Sequence, residues 1–172
     1  YKKATELDDK NAEYWLAFGA CYVEGIGTEV DEKKVFECIK KANELDDKNA
    51  EYWLILGLSY ESGIGTEVDE KKAFECFKKA TELDDKNAEY WFDLGGFYEE
   101  GIGTKVDEKK AFECYKKATE LDDENSLYWN RLGLYYDNGT GTEVDSKKAF
   151  ECYVKANELE PSCAVYWYNL GL

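Results

Sequence analysis

The sequence predicts an all-α array of stacked helix–loop–helix units, and three observations carry that prediction. The chain repeats itself every 38 residues: the stretch from Tyr1 to Trp15 returns almost letter for letter from Ile39 and Phe77, and more loosely from Tyr115 and Tyr153. Within each unit the apolar residues recur at helical spacing. Between those segments, paired glycines and Asp-Asp turns return at fixed places and punctuate the chain. A register that never slips marks a repeat array, whose units bury their apolar faces only against their neighbours.

The elements follow in order. Residues 1–10 read as the second half of a helix B from a preceding unit. Residues 11–48, 49–86, 87–124 and 125–162 read as four units, and 163–172 as the start of a fifth. The two ends are cut at different phases of the unit, so 1–172 is expected to be one array and a window on a longer one. In the unit 49–86, Asn49 is a helix start signal. Trp53, Leu56, Gly57 and Tyr60 then share one helical face. A glycine inside a helix costs about 1 kcal/mol relative to alanine. Its return as Gly19, Gly57, Gly95, Gly133 and Gly171 therefore marks a close helix contact with no room for a branched side chain. Gly63 and Gly65 break the helix, and Asp69 caps a second one, whose apolar stripe is Ala73, Phe74, Phe77, Ala80 and Leu83. On its wet side Glu75 precedes Lys79 by one turn, and Glu37–Lys41, Glu113–Lys117 and Glu151–Lys155 repeat that pair. The expected helices are Ala12–Glu24, Asp31–Leu45, Ala50–Ser62, Asp69–Leu83, Ala88–Glu100, Asp107–Leu121, Ser126–Asn138 and Asp145–Leu159, with no strands.

Composition excludes several classes. The net charge is −16, with Lys and Glu interleaved. Such a surface repels phosphate backbones and anionic lipid, so no nucleic-acid partner is expected. No apolar run approaches the roughly 20 residues of a membrane helix, so no membrane insertion is expected. Cys38, Cys76, Cys114 and Cys152 share one phase, with Cys21 and Cys163 as extras. Equivalent residues of adjacent helical repeats lie about 10 Å apart, whereas a disulfide needs Cα atoms within about 7 Å. The four in-phase cysteines therefore read as small packed thiols. The chain has no His and no Cys-x-x-Cys pair, so no metal site is expected. The Gly-x-Gly pairs read as repeated turns rather than phosphate cradles. The Asp pairs read as helix capping rather than calcium ligands, and Trp15, Trp53, Trp91, Trp129 and Trp167 read as core. Every carboxylate has copies, so no catalytic residue and no cofactor are expected, and the chain reads as no enzyme.

Trp53, Leu56, Gly57, Tyr60, Ala73, Phe77 and Ala80 match the tetratricopeptide signature. Pro161 stands where that signature places its proline, while Asp47, Asp85 and Asp123 depart from it. The loop is four residues longer than in a unit of about 34 residues. Its Gly63-Ile64-Gly65-Thr66-Glu67-Val68-Asp69 resembles the loop of Sel-1-like repeats, with Thr66 in the usual place of Val and Val68 supplying an apolar plug. The resemblance covers essentially the whole chain. It implies a right-handed α-solenoid (an α/α superhelix) that works as a protein-binding scaffold, with helix A lining the concave wall.

Variation between copies concentrates on helix A. The phase after Trp reads Leu16, Leu54, Phe92, Asn130, Tyr168, and Asp93 and Arg131 stand at the next. Ala20 and Leu58 share a third. Leu16, Ala20, Leu54, Leu58, Phe92, Asp93, Asn130, Arg131 and Tyr168 are thus the candidate partner-binding residues. The expected function is a protein–protein interaction scaffold that takes a protein or peptide on the concave helix A wall. The alternative is a structural repeat protein that assembles into filaments or a surface layer. Self-association end to end is expected from apolar faces at both ends, such as Trp167, Tyr168 and Leu170.

Overall fold

The structure is a computed structural model that describes residues 2–170. Among the described residues there are ten helices and no strand. They are α1 (Lys2–Leu7), α2 (Ala12–Glu24), α3 (Glu32–Leu45), α4 (Ala50–Ser62), α5 (Glu70–Leu83), α6 (Ala88–Glu100), α7 (Glu108–Leu121), α8 (Ser126–Asn138), α9 (Ser146–Leu159) and α10 (Ala164–Asn169). The even-numbered helices are the A helices of the repeats, and the odd-numbered ones the B helices. The A helix spans expected from sequence are borne out, and the B helices end where expected but begin one residue later. Asp31, Asp69, Asp107 and Asp145 stand one residue outside the B helices as caps, each carboxylate accepting from a backbone N–H three residues on. The A helices from α2 to α8 start on Asn11, Asn49, Asn87 and Asn125, whose side-chain oxygens accept from a backbone N–H two or three residues on. Each of these helices ends on a left-handed glycine, as at Gly63 with φ 71°.

The tryptophans tie each A helix to the turn before it. The indole N–H of Trp15, Trp53, Trp91, Trp129 and Trp167 donates to a carbonyl six residues back, at 2.8–3.0 Å. That carbonyl belongs to Asp9, Asp47, Asp85 and Asp123, and finally to Pro161. The turn needs only a backbone oxygen there, so Asp and Pro serve equally.

The chain falls into two compact units, one up to Asp84 and one from Asp85. In the first, α2 packs on α3 and α4 on α5. A buried cluster of Val35, Ile39, Leu56 and Cys76 forms the core, with Leu16, Tyr22, Phe36, Trp53, Ile55 and Tyr60 packed against it. Gly57 lies where α4 meets α5: a Cβ there would stand 3.0 Å from Phe77 Cδ2 and 3.1 Å from Cys76 Cβ. The close contact expected of this glycine phase is borne out here and at Gly19, Gly95 and Gly133, while Gly171 lies outside the described residues. The second loop glycine has a different task. A Cβ on Gly65 would overlap the Glu32 carbonyl at the start of α3, so this loop lies directly on the preceding repeat.

In the second unit α6 packs on α7, α8 on α9, and α10 on α9. Its core holds Ala111, Tyr115 and Tyr135, flanked by Phe92, Tyr98 and Phe112. Gly141 meets the Glu108 carbonyl as Gly65 meets that of Glu32.

One polar device recurs in both units. Lys72 lies 2.8 Å from Asp69 and 5.1 Å over the ring of Tyr60, whose edge meets Phe36 at 5.3 Å. In the second unit Lys148, Asp145, Tyr136 and Phe112 repeat it, with the rings again 5.3 Å apart. The hydrogen bond from its lysine holds Asp69 below the ordinary carboxylate range. The pair is exposed to solvent, so screening keeps its contribution small. The Glu37–Lys41 and Glu75–Lys79 pairs expected from sequence give way to Lys41–Glu44 and Lys79–Glu82, each at 3.7 Å. Residues three apart on a helix are neighbours as much as residues four apart, and both choices are exposed.

Candidate functional site

Sequence variation pointed to the exposed side of the A helices. In the first unit Leu16 and Leu54 are half-buried, and Leu16 packs against the core cluster. Ala20 is exposed and Leu58 is 43% exposed. This surface is apolar, and the phase after it, Ile55, turns inward to the core.

In the second unit the same phases build a polar and aromatic surface. Phe92 is half-buried and stacks on Tyr128 at 4.8 Å while leaning on Tyr115 at 5.2 Å. Asp93 is half-buried. Asn130 is buried beneath the surface, and its amide oxygen accepts from Asn169 Nδ2 at 2.7 Å. Arg131 donates from Nη1 to Glu99 Oε1 at 3.4 Å, and its guanidinium carbon lies 5.8 Å over the Tyr115 ring. Tyr115 in turn donates its hydroxyl to Glu99 Oε2 at 2.5 Å. Burial first, and this hydrogen bond second, raise the Tyr115 pKa well above the ordinary phenol range. Tyr153 is pushed up to about 12 by burial and by Asp137. Tyr168 is 82% exposed.

The candidates therefore do not form one homogeneous surface. Leu58, Ala20 and Tyr168 face solvent, Leu16 and Phe92 are partly core, and Asn130 is buried. Glu99 and Tyr115 were missed in the sequence reading. The signal was available: Ile39, Phe77, Tyr115, Tyr153 change from apolar to phenolic along one phase, while Val23, Glu61, Glu99, Asp137 acquire carboxylates along another.

The in-phase cysteines are buried against the glycine phase, and burial pushes the thiols of Cys38, Cys76 and Cys152 up to about 11 and that of Cys114 to about 12. They pack as protonated thiols, the role expected from sequence. Among the described residues no group of Cys, Asp or Glu is arranged to hold a metal ion, and no helix is long and apolar enough to cross a membrane.

The helix pairs, their glycine contacts and the long capped loop are the geometry that known proteins can be compared with. The Sel1 repeat family model matches residues 10–47, 50–85, 88–123 and 130–160, which together are most of the chain. The chain belongs to the Sel1 repeat family. A solved Sel1 repeat protein from Oxalobacter formigenes is 30% identical, with a TM-score of 0.76 over 91% of this chain and 63% of that one. The protective antigen c5321 of uropathogenic Escherichia coli strains, described as displaying an SLR fold, is 26% identical, with a TM-score of 0.80 over 98% of this chain. This chain spans only 34% of that antigen's length. YrrB, a TPR protein with an unusual peptide-binding site, is 22% identical, covers 100% of this chain and 80% of its own, and has a TM-score of 0.66; it shows the fold alone. No curated protein matches the sequence. The fold class is thus the all-α solenoid of Sel1 and TPR repeats, a fold that generally serves as a scaffold for protein–protein contacts and is typically non-catalytic.

Proposed function

We propose that this Sel1 repeat chain is a protein–protein interaction scaffold that binds a peptide or protein segment on the wall formed by its A helices, the wall that the family resemblance makes concave. One observation carries the reading. Phases that hold helix to helix stay alike from copy to copy and are buried, as with Ala42, Ala80, Ala118 and Ala156. The exposed phases that change chemistry most lie on the A helices and include Leu58, Arg131 and Tyr168, whereas the changing B-helix phase of Ile39, Phe77, Tyr115 and Tyr153 is buried. Packing holds the first set alike, and a partner is what would diversify the second. The fold can host such a site, since the fold neighbour YrrB is a TPR protein with a peptide-binding site. The test is selection of a displayed library of random peptides on the immobilised chain. Binders should lose affinity with Leu58→Glu and keep it with Lys71→Glu on helix B. Binders indifferent to every helix A substitution would overturn the reading.

A further inference from the structure

We propose that Arg131 is a specificity-determining residue of the wall, and that it takes a main-chain carbonyl of an extended, uncharged or basic peptide rather than a carboxylate. This inference rests on the binding reading above and names the chemistry of the partner.

Arg131 is the sole arginine of the chain; every other basic residue is lysine. It stands on α8 at a phase that is Ala17, Ile55, Asp93 and Asn169 in the other copies, so repeat packing does not require it. Its position is fixed from two sides. Glu99 on α6 holds Nη1 at 3.4 Å, and the Tyr115 ring on α7 lies beneath the guanidinium at 5.8 Å. Glu99 is itself held by the Tyr115 hydroxyl at 2.5 Å. A guanidinium carries five N–H donors in a planar fork, and among the described residues this one donates from Nη1 alone. The side chain is 37% exposed, so the remaining donors are oriented and reachable.

The surroundings decide what they accept. Glu99 already balances the charge of Arg131, so a partner carboxylate would bring a like charge to Glu99 and meet a chain of net charge −16. A neutral carbonyl meets neither repulsion. The two flanks agree: Asp93, at the Arg131 phase of the preceding repeat, adds a further carboxylate that disfavours an acidic group, and Asn169, at the same phase of the next, bonds Asn130 at 2.7 Å and offers the amide chemistry that matches peptide groups. The acidic remainder of the molecule favours basic side chains on the same peptide.

The probe is a set of peptides selected on the parent chain, N-acetylated and C-amidated, each made with and without a single backbone ester. Fluorescence anisotropy should show Arg131→Gln and Arg131→Lys both weakening every peptide by about tenfold, with melting midpoints unchanged. One ester position should weaken binding to the parent and leave binding to Arg131→Gln unaltered. Full affinity in Arg131→Lys would show that charge alone is needed and would overturn the assignment. So would sensitivity confined to peptides that carry Asp or Glu. Peptides that ignore Arg131 but respond to Leu58→Glu overturn this inference and leave the scaffold reading standing. If the parent chain selects no peptide at all, both fall.

Discussion

The two compact units share helix lengths, caps and loop glycines, yet they fill the contact between helix A and helix B differently. In the unit up to Asp84, Gly19 and Gly57 face Cys38 and the Cys76–Phe77 pair, with an added Cβ at 3.1 and 3.0 Å. In the unit from Asp85, Gly95 and Gly133 face Tyr115 and Tyr153, with an added Cβ at 2.7 Å in both cases. The first contact is purely apolar. The second ends in a phenol whose hydroxyl needs a partner: Glu99 at the end of α6 accepts from Tyr115, and Asp137 holds the same place on α8 and helps to raise the Tyr153 pKa. A larger side chain on helix B thus tightens the glycine contact and brings a polar group to the helix A wall. The same backbone tolerates both because the glycine leaves the ring its space.

The largest effect should come from the glycine contact. Gly133→Val should destabilise by about 3 kcal/mol, and Gly19→Val by about 2, because an added Cβ would stand 2.7 Å from the Tyr153 ring at the first and 3.1 Å from Cys38 Cβ at the second. Urea midpoints of the full chain measure both, and equal losses would break the comparison. Gly63→Ala should destabilise as well, since Gly63 has φ 71° and a Cβ there would stand 3.1 Å from Val68 Cγ2.

The phenol–carboxylate pair comes next. Tyr115→Phe should cost about 1.5 kcal/mol, the usual worth of a hydrogen bond to a charged group. The reverse change in the first unit, Phe77→Tyr, should fall within about 0.5 kcal/mol of neutral, because Glu61 stands where Glu99 does. A large loss in Phe77→Tyr would mean that the first unit cannot accept the second unit's chemistry.

The same pair fixes a pH dependence. Tyr115, Tyr135 and Tyr153 have folded pKa values raised mainly by burial. Below the ordinary phenol value of about 10 they are protonated in both folded and unfolded chains, and their stability contribution is full. Above it the unfolded chain ionises first, so stability falls as pH climbs towards about 12, the value for Tyr153. Thermal melts from neutral to alkaline pH should show this fall, and Tyr115→Phe should flatten it. An unchanged slope would count against the buried phenol as its source.

The smallest effect should be common to both units. Asp69→Ala and Asp107→Ala each remove a helix B cap and should lower the melting midpoint by the smallest step of the series, equally in the two units. Both carboxyls are held below the ordinary carboxylate range, Asp69 chiefly by its hydrogen bond to the Lys72 side chain and Asp107 chiefly by the Lys110 backbone N–H. Their contribution is therefore full above that range and disappears as pH falls through the folded value. Acid melts of the two variants should converge on the parent curve, and unequal losses at neutral pH would show that the caps differ between units.

Most of the fold was legible in the residues themselves. The 38-residue period, the Asn and Asp caps, the glycine breaks and the helical apolar stripes fix helix type, boundaries and pairing, because each acts within about one turn of its own position. Near-identical copies also allowed Leu58, Arg131 and Tyr168 to be picked out as variants on the A helices. Tertiary structure decided what those variants face. Asn130 lies under the wall and bonds Asn169, Phe92 is partly core, and Arg131 is steadied by Glu99 and Tyr115 from two other helices. It also assigned the second loop glycine, at Gly65 and Gly141, to a contact with the preceding repeat, whereas the same glycine at Gly27 has nothing within 4 Å. Local backbone preference is written into neighbouring residues, but which side chains from separate helices converge depends on the rotation and spacing of packed helices, and only the assembled structure sets those.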